Sequence, residues 1–261
     1  RNYEWIDILG AKQDSATSLL NPTKFKFDDN DDDNNDDDED EGTPKVMRGW
    51  MTIYTSEDPK SEFTKLSMRK QILSKIKEIR KKYTGEELAI IFTGHSLGAS
   101  LSVLSSFDVA ENAAGDIPVA AFIFGCPEVG NKAFNERFKE FPNLKVLHIK
   151  NTIDLIPHYP GRLLGYRHTG VEFDIDTRIS PYLKDSKHPG DWHNLQAMLH
   201  IVAGWNGKGK EFGFQVKRSV PLVNKSCEFL KDELLVPGSW WVEKNKGLVR
   251  DADGEWVTAS P

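Results

Sequence analysis

Long apolar runs are missing from this 261-residue chain. A membrane-spanning helix needs about 20 consecutive apolar residues, and the best run here, Val119 to Phe124, is strand-sized. No single apolar membrane helix fits the sequence. Cysteine is scarce: the 2 thiols, Cys126 and Cys227, have neither framework nor metal-like spacing. That argues against a small disulfide-stapled scaffold and suits a reducing compartment. No histidine pair shows the H-E-x-x-H spacing of a zinc site, so no metal is expected. No period of 20–50 residues repeats. A nucleic-acid interface has nothing in its favour beyond one basic helix.

What the chain does hold is enough apolar surface for a core, with 38% hydrophobic residues and 14 Phe. Its net charge of −6 is unevenly placed. Between Asp28 and Glu41, 11 of 14 residues are acidic, which leaves 40 − 11 = 29 acids against 34 bases elsewhere. A mildly basic body of +5 (34 − 29) therefore carries one acidic tract, residues 28–41. Such a run repels itself and reads as a solvated loop. It is not a calcium loop: counting from Asp36, the sixth position is Glu41 where glycine is needed, and the twelfth is Met47 where glutamate is needed.

Beyond the tract, Leu66 to Tyr83 reads as an amphipathic helix, with Leu66, Leu73, Ile76 and Ile79 on one stripe and eight Lys or Arg from Lys65 to Lys82. Leu88 to Thr93 is a continuous apolar run, as a buried parallel strand would be. Then come an Ala- and Ser-rich helix (Leu97 to Asn112), a strand (Val119 to Phe124), a helix (Asn131 to Phe141) and a strand (Leu144 to Ile149). That alternation predicts an α/β fold, a mainly parallel sheet flanked by helices. Less regular β structure follows over Gly161 to Asp176, then a helix over Trp192 to Ala203. The tail predicts a hairpin around Asp253-Gly254, packed by tryptophans. No linker divides the chain, so one domain over 1–261 is expected.

Gly94-His95-Ser96-Leu97-Gly98 is a G-x-S-x-G motif. Alone it is weak, but a strand ends at Thr93 and a helix begins at Leu97. In a strand–turn–helix the reversal is so sharp that flanking side chains collide, which the two glycines are expected to avoid. The turn lifts the Ser96 hydroxyl above the sheet and points a helix N-terminus at the reaction, with the Leu97 N–H placed to stabilise an oxyanion. A serine hydroxyl needs a base, and the base an orienting acid. The expected chain order is serine, acid, histidine. Asp154, just after the third strand, supplies the acid. Downstream, His193 at a helix start is the favoured base, with His188 and His200 as alternatives; His200, two turns further along the same face, reads better as structural.

The stretches Thr93–Ala99, Phe124–Asn131, Asn151–Pro157 and His193–His200 together resemble the class 3 lipases. The tail, with Val223–Cys227 and Pro237–Trp241, is similar to the class II phospholipases A1 of plants. That resemblance implies an α/β-hydrolase acting without cofactor on the sn-1 acyl ester of phospholipids. Ser96 would be nucleophile, Asp154 orienting acid and His193 general base. It also implies a cytoplasmic location and peripheral contact with a lipid surface. Residues 1–20 resemble the family's lid, with Trp5, Ile8 and Leu9 spaced for one apolar face.

On that reading the chain starts just after the residue that gives the second oxyanion donor, and the N-terminal strands are missing. Impaired turnover is then the expectation, about 10²–10³-fold for one lost donor, together with an exposed sheet edge. The alternative function is a truncated lipase-like protein that binds lipid or a partner without turnover. A third is hydrolysis of another acyl ester, such as a galactolipid or triacylglycerol, which the triad alone does not distinguish. The acidic tract, set beyond the lid, is expected to repel anionic membranes.

Overall fold

The computed structural model describes residues 9–20, 42–241 and 247–258. The lid positions Trp5 and Ile8 and the acidic tract 28–41 lie outside them. The chain groups into two compact units. The first comprises Arg1–His148 with Pro157–Glu172, the second Ile149–Ile156 with Phe173–Pro261.

In the first unit the elements run β1 (Gln13–Ser15), β2 (Lys45–Met47), α1 (Arg48–Thr55), α2 (Met68–Lys82), β3 (Ile90–His95), α3 (Leu97–Asn112), β4 (Val119–Phe124), β5 (Gly130–Asn131), α4 (Lys132–Lys139), β6 (Leu144–Asn151), β7 (Tyr166–Arg167) and β8 (Val171–Ile175), with β6 and β8 running on into the second unit. One sheet has the order β3-β4-β6-β8, and a small one the order β1-β2-β5-β7. Strands β3 and β4 pair in parallel, from Ile90 opposite Val119 to His95 opposite Phe124. The β-branched and aromatic residues of Ile90-Ile91-Phe92-Thr93 suit that pleat.

Helix α3 packs on this pair and is buried almost all round, 12 of its 16 residues, which is why small residues dominate it. Two of its serines satisfy their hydroxyls on the helix itself: Ser102 donates to the Gly98 carbonyl and Ser106 to that of Val103, both at 2.9 Å. Phe107 meets Phe134 of α4 at 4.8 Å between ring centres and Phe141 edge-on at 5.7 Å. Asp108, fully buried in the same helix, is neutralised by Arg69 of α2 at 2.8 Å and accepts the Tyr54 hydroxyl at 2.9 Å. A buried carboxylate is tolerated only with such partners.

Two sequence expectations fail. The run Leu88–Thr93 is not buried on both faces: the strand starts at Ile90, and Ile91 is 66% exposed. Phe122, on the same side of β4, is 42% exposed. Strand β3 stands last in the sheet order, with α3 on one face. A continuous apolar run does not tell which face a neighbour covers. Helix α2 also begins later than Leu66, because the Ser67 hydroxyl caps it by accepting the Lys70 N–H at 3.3 Å. Leu66 is left outside and exposed, while Ile72, Leu73 and Ile76 pack on the core.

The second unit holds α5 (Pro189–Trp192), α6 (Leu195–Ala203) and the hairpin β9 (Leu248–Arg250) and β10 (Trp256–Thr258). Trp256 packs against Trp240 at 4.9 Å and Trp241 at 6.1 Å between ring centres, as the tail sequence predicts. The helix expected over Trp192–Ala203 is broken: Asn194 caps α6 through its side-chain oxygen, and His193 sits in the break. Among the described residues no helix is long and apolar enough to cross a membrane.

Candidate active site

In the first unit, β3 ends at His95 and α3 begins at Leu97, so a single residue makes the turn. That residue, Ser96, has φ 56° and ψ −127°, a conformation glycine adopts freely and other residues rarely. Holding serine there costs about 1–3 kcal/mol, and such strain persists only where the surroundings impose it. Here the Ser96 N–H donates to the Phe124 carbonyl at 3.0 Å, and the Ser96 carbonyl accepts from Ala99 and Ser100 at 2.9 and 3.3 Å. The Leu97 N–H is the first of α3 and so lies ahead of the helix's own hydrogen bonding.

The two glycines of the motif differ in kind. A Cβ on Gly94 would lie 2.2 Å from the Gly98 carbonyl oxygen and 2.7 Å from the Ala99 nitrogen, so no side chain fits. A Cβ on Gly98 would meet nothing within 4 Å. The expectation that both glycines avoid collision holds for Gly94 and fails for Gly98, because the helix turns that position outward.

The second unit brings Asp154 and His193 together. Asp154 is buried just past the end of β6, with its N–H on the Asn151 carbonyl at 2.9 Å. Its Oδ1 accepts the Ile156 N–H at 3.0 Å, and its Oδ2 lies 2.6 Å from His193 Nδ1. A carboxylate on Nδ1 makes that nitrogen the donor, so the neutral ring carries its lone pair on Nε2. Asn151, buried beneath, donates to the Trp192 carbonyl at 2.9 Å and to Thr177 Oγ1 at 3.0 Å, and accepts the Thr177 N–H at 3.2 Å. It thereby ties the end of β6 to the residue before His193. In the sequence Asn151 stands only within the Asn151–Pro157 stretch; its tertiary role has no local signal.

The other histidines are otherwise engaged. His188 Nδ1 accepts the Gly190 N–H and caps α5. His200 is fully buried, 2.8 Å from Ser180 Oγ and stacked on Phe212. Burial, and secondarily Arg218, lowers its pKa to about 4, so it is neutral and structural. In the first unit, buried His148 accepts the Cys126 N–H on Nε2 at 3.0 Å. Burial pushes the Cys126 thiol up to about 12, which suits a packing role.

His148, His168 and Glu172 offer ligand atoms within 4.8 Å of one another, a grouping that linear spacing does not show. With Nε2 of His148 accepting, its neutral ring holds a proton on Nδ1. Neither nitrogen of His148 then has a lone pair to give a metal.

The family model for lipase (class 3) matches residues 8–164, more than half of the chain and including the whole elbow. The chain belongs to the class 3 lipases. The chain is 58% identical to phospholipase A1-IIdelta of Arabidopsis thaliana over 99% of its own length and 64% of the relative's. It is 48% identical to phospholipase A1-II 5 of Oryza sativa subsp. indica over 100% of its length and 54% of that relative's. The chain thus spans between about half and two thirds of these curated relatives. Among solved structures, the native Rhizomucor miehei lipase propeptide complex shares 23% identity over 51% of this chain and 39% of that one, with a TM-score of 0.43. Lipase II from Rhizopus niveus shares 23% over 51% and 45%, with a TM-score of 0.40.

Proposed function

We propose that this class 3 lipase is a serine acyl-ester hydrolase of phospholipids, a phospholipase A1 that releases the sn-1 fatty acid. The observation that carries the reading is the strained Ser96 turn. Nothing in the packing of β3 and α3 calls for a non-glycine residue with φ 56°, and a nucleophile presented from the turn does. The choice of phospholipid over other acyl esters rests on the relatives named phospholipase A1.

In the proposed reaction, Ser96 Oγ attacks the ester carbonyl carbon while His193 Nε2 takes its proton. Asp154 holds the ring by Nδ1 and stabilises the imidazolium. The carbonyl oxygen becomes an oxyanion facing the Leu97 N–H. Collapse breaks the acyl C–O bond, and His193 returns the proton to the leaving lysophospholipid oxygen. Water, deprotonated by the same His193, then cleaves the Ser96 ester. The base releases its proton to Ser96, and a free fatty acid leaves. Residues of the lid-like segment, Leu9 among them, would open onto a lipid surface, and we place the protein in the cytoplasm.

The test is phosphatidylcholine carrying distinguishable acyl chains at sn-1 and sn-2, offered to the parent chain and to Ser96→Ala. Release of the sn-1 chain by the parent alone supports the proposal. Release from sn-2, or equal release by Ser96→Ala, overturns it.

A further inference from the structure

The first unit carries an apolar feature that its core does not use. Leu163 is fully exposed and Leu164 is 53% exposed, side by side in the single 3-10 turn Arg162–Leu164. Tyr159 and Leu9, also exposed, lie in the same region, joined by a hydrogen bond from the Tyr159 hydroxyl to the Leu9 carbonyl. One exposed leucine is ordinary. Two at the tip of a turn whose backbone is fixed on every side are not.

Gly161 (φ 104°) opens the turn and Gly165 (φ 81°) closes it, with Leu164 N–H on the Gly161 carbonyl at 3.0 Å and Gly165 N–H on that of Arg162 at 3.1 Å. Beneath, buried Glu128 accepts the Gly161 N–H at 3.0 Å, and its own N–H donates to the Tyr159 carbonyl at 2.8 Å. From β1, Gln13 Nε2 donates to the Leu164 carbonyl at 3.0 Å. A slack loop would fold its leucines back onto the protein. This one holds them in water.

Charge names the occupant. Arg162, in the same turn, also lines a cleft of about 580 Å³ together with Lys132, Lys139, Lys145 and Arg167. Those five cations face two carboxylates there, Glu136 and Glu172. An apolar tip beside a cation-rich cleft complements an anionic lipid surface, whose acyl boundary takes leucine and whose phosphates take lysine and arginine. We propose that Leu163 and Leu164 form a preset wedge that enters such a surface while Arg162 and the cleft lysines engage its headgroups. The wedge adjoins the lid-like segment, whose Leu9 and Gln13 bond to Tyr159 and Leu164, but its own apolar side chains are those of the Arg162–Leu164 turn. It rests on the lipid reading for its purpose, though not for its measurement.

Binding is read without turnover, using the full chain as Ser96→Ala with sedimenting vesicles of phosphatidylcholine, with and without phosphatidylserine. Leu163→Ser and Leu164→Ser are each expected to lower the partition coefficient by about tenfold. Lys139→Glu with Lys145→Glu is expected to weaken binding to the phosphatidylserine vesicles alone, a difference that high salt removes. Leu235→Ser, at a residue 84% exposed in the second unit, is expected to change nothing. Circular dichroism melts confirm that each variant is folded.

A parent that binds neither vesicle overturns the wedge, even if it hydrolyses dispersed phospholipid. So do wedge variants that bind as tightly as the parent, or a Leu235 variant that loses as much. Light scattering that shows a lipid-free dimer, dissolved by Leu163→Ser, would assign the tip to a second copy of the chain and equally overturn the proposal. Failure of hydrolysis with vesicle binding intact would count against the proposed function and leave the wedge standing.

Discussion

Asp154 Oδ2 lies 2.6 Å from His193 Nδ1, and Asn151 holds the chain at both ends of that pair. The acid follows directly from β6, and the histidine occupies a break between two helices. A short charge-assisted bond fixes the ring's tautomer and its direction. Asp154→Asn would present an amide that can donate to Nδ1 and favour the wrong tautomer. The expected fall in kcat is about 10³–10⁴-fold with the fold retained, measured on a soluble ester. Asn151→Ala leaves the acid and base in place and loosens their spacing. Its expected loss is about 10²-fold or less, with a restored fraction in Asn151→Ser, whose hydroxyl can reach part of the same network.

Gly94 and Gly98 make a matched pair of tests. Gly94→Ala places a methyl group 2.2 Å from the Gly98 carbonyl oxygen, so the elbow must open. Thermal melts should show a loss of about 1–3 kcal/mol or more, and hydrolysis should fall with it. Gly98→Ala meets open space in a helix and should gain about 1 kcal/mol from helix propensity. A destabilised Gly98→Ala protein would contradict the geometry.

The strain at Ser96 is itself measurable. Ser96→Gly relieves a φ of 56° and Ser96→Ala does not, although both remove the hydroxyl. Urea unfolding should find Ser96→Gly more stable than Ser96→Ala by about 1 kcal/mol. Equal stability would mean the turn stores no strain.

His200 gives a pH dependence with a definite sign. Its pKa is about 4 in the folded chain, against an ordinary value of 6.5, because burial disfavours the charged ring. Below pH 6.5 the unfolded chain takes up a proton that the folded chain refuses. The stability is therefore complete above 6.5 and is lost as pH falls towards 4, on the order of 3 kcal/mol in all. Urea titrations across that window should show the slope in the parent and a shallower one in His200→Gln. An identical slope in the variant would assign the loss to other groups.

The elbow was legible because its signal is local: a strand, one motif and a helix in unbroken succession. The α/β order was legible for the same reason, from the alternation of apolar runs and amphipathic stretches. Choosing among His188, His193 and His200 needed the family resemblance, since each is a histidine near a helix and only tertiary packing puts one on Asp154. The exposure of Ile91 and Phe122 was hidden because an apolar run carries no record of which sheet face is covered. The start of helix α2 is not legible because Leu66 continues the apolar stripe while the Ser67 cap overrides it. The steric duty of Gly94 and the freedom of Gly98 look alike in a G-x-S-x-G motif, because the packing that separates them is tertiary.

The most direct test of the central claim, that Ser96 is a nucleophile activated by His193 and Asp154, is intact-mass detection of fluorophosphonate labelling. The parent, Ser96→Ala and His193→Ala are compared under the same conditions. The account predicts one adduct on the parent, mapped to Ser96, none on Ser96→Ala, and strongly slowed labelling of His193→Ala. An unlabelled parent, or an adduct that survives in Ser96→Ala, would contradict it.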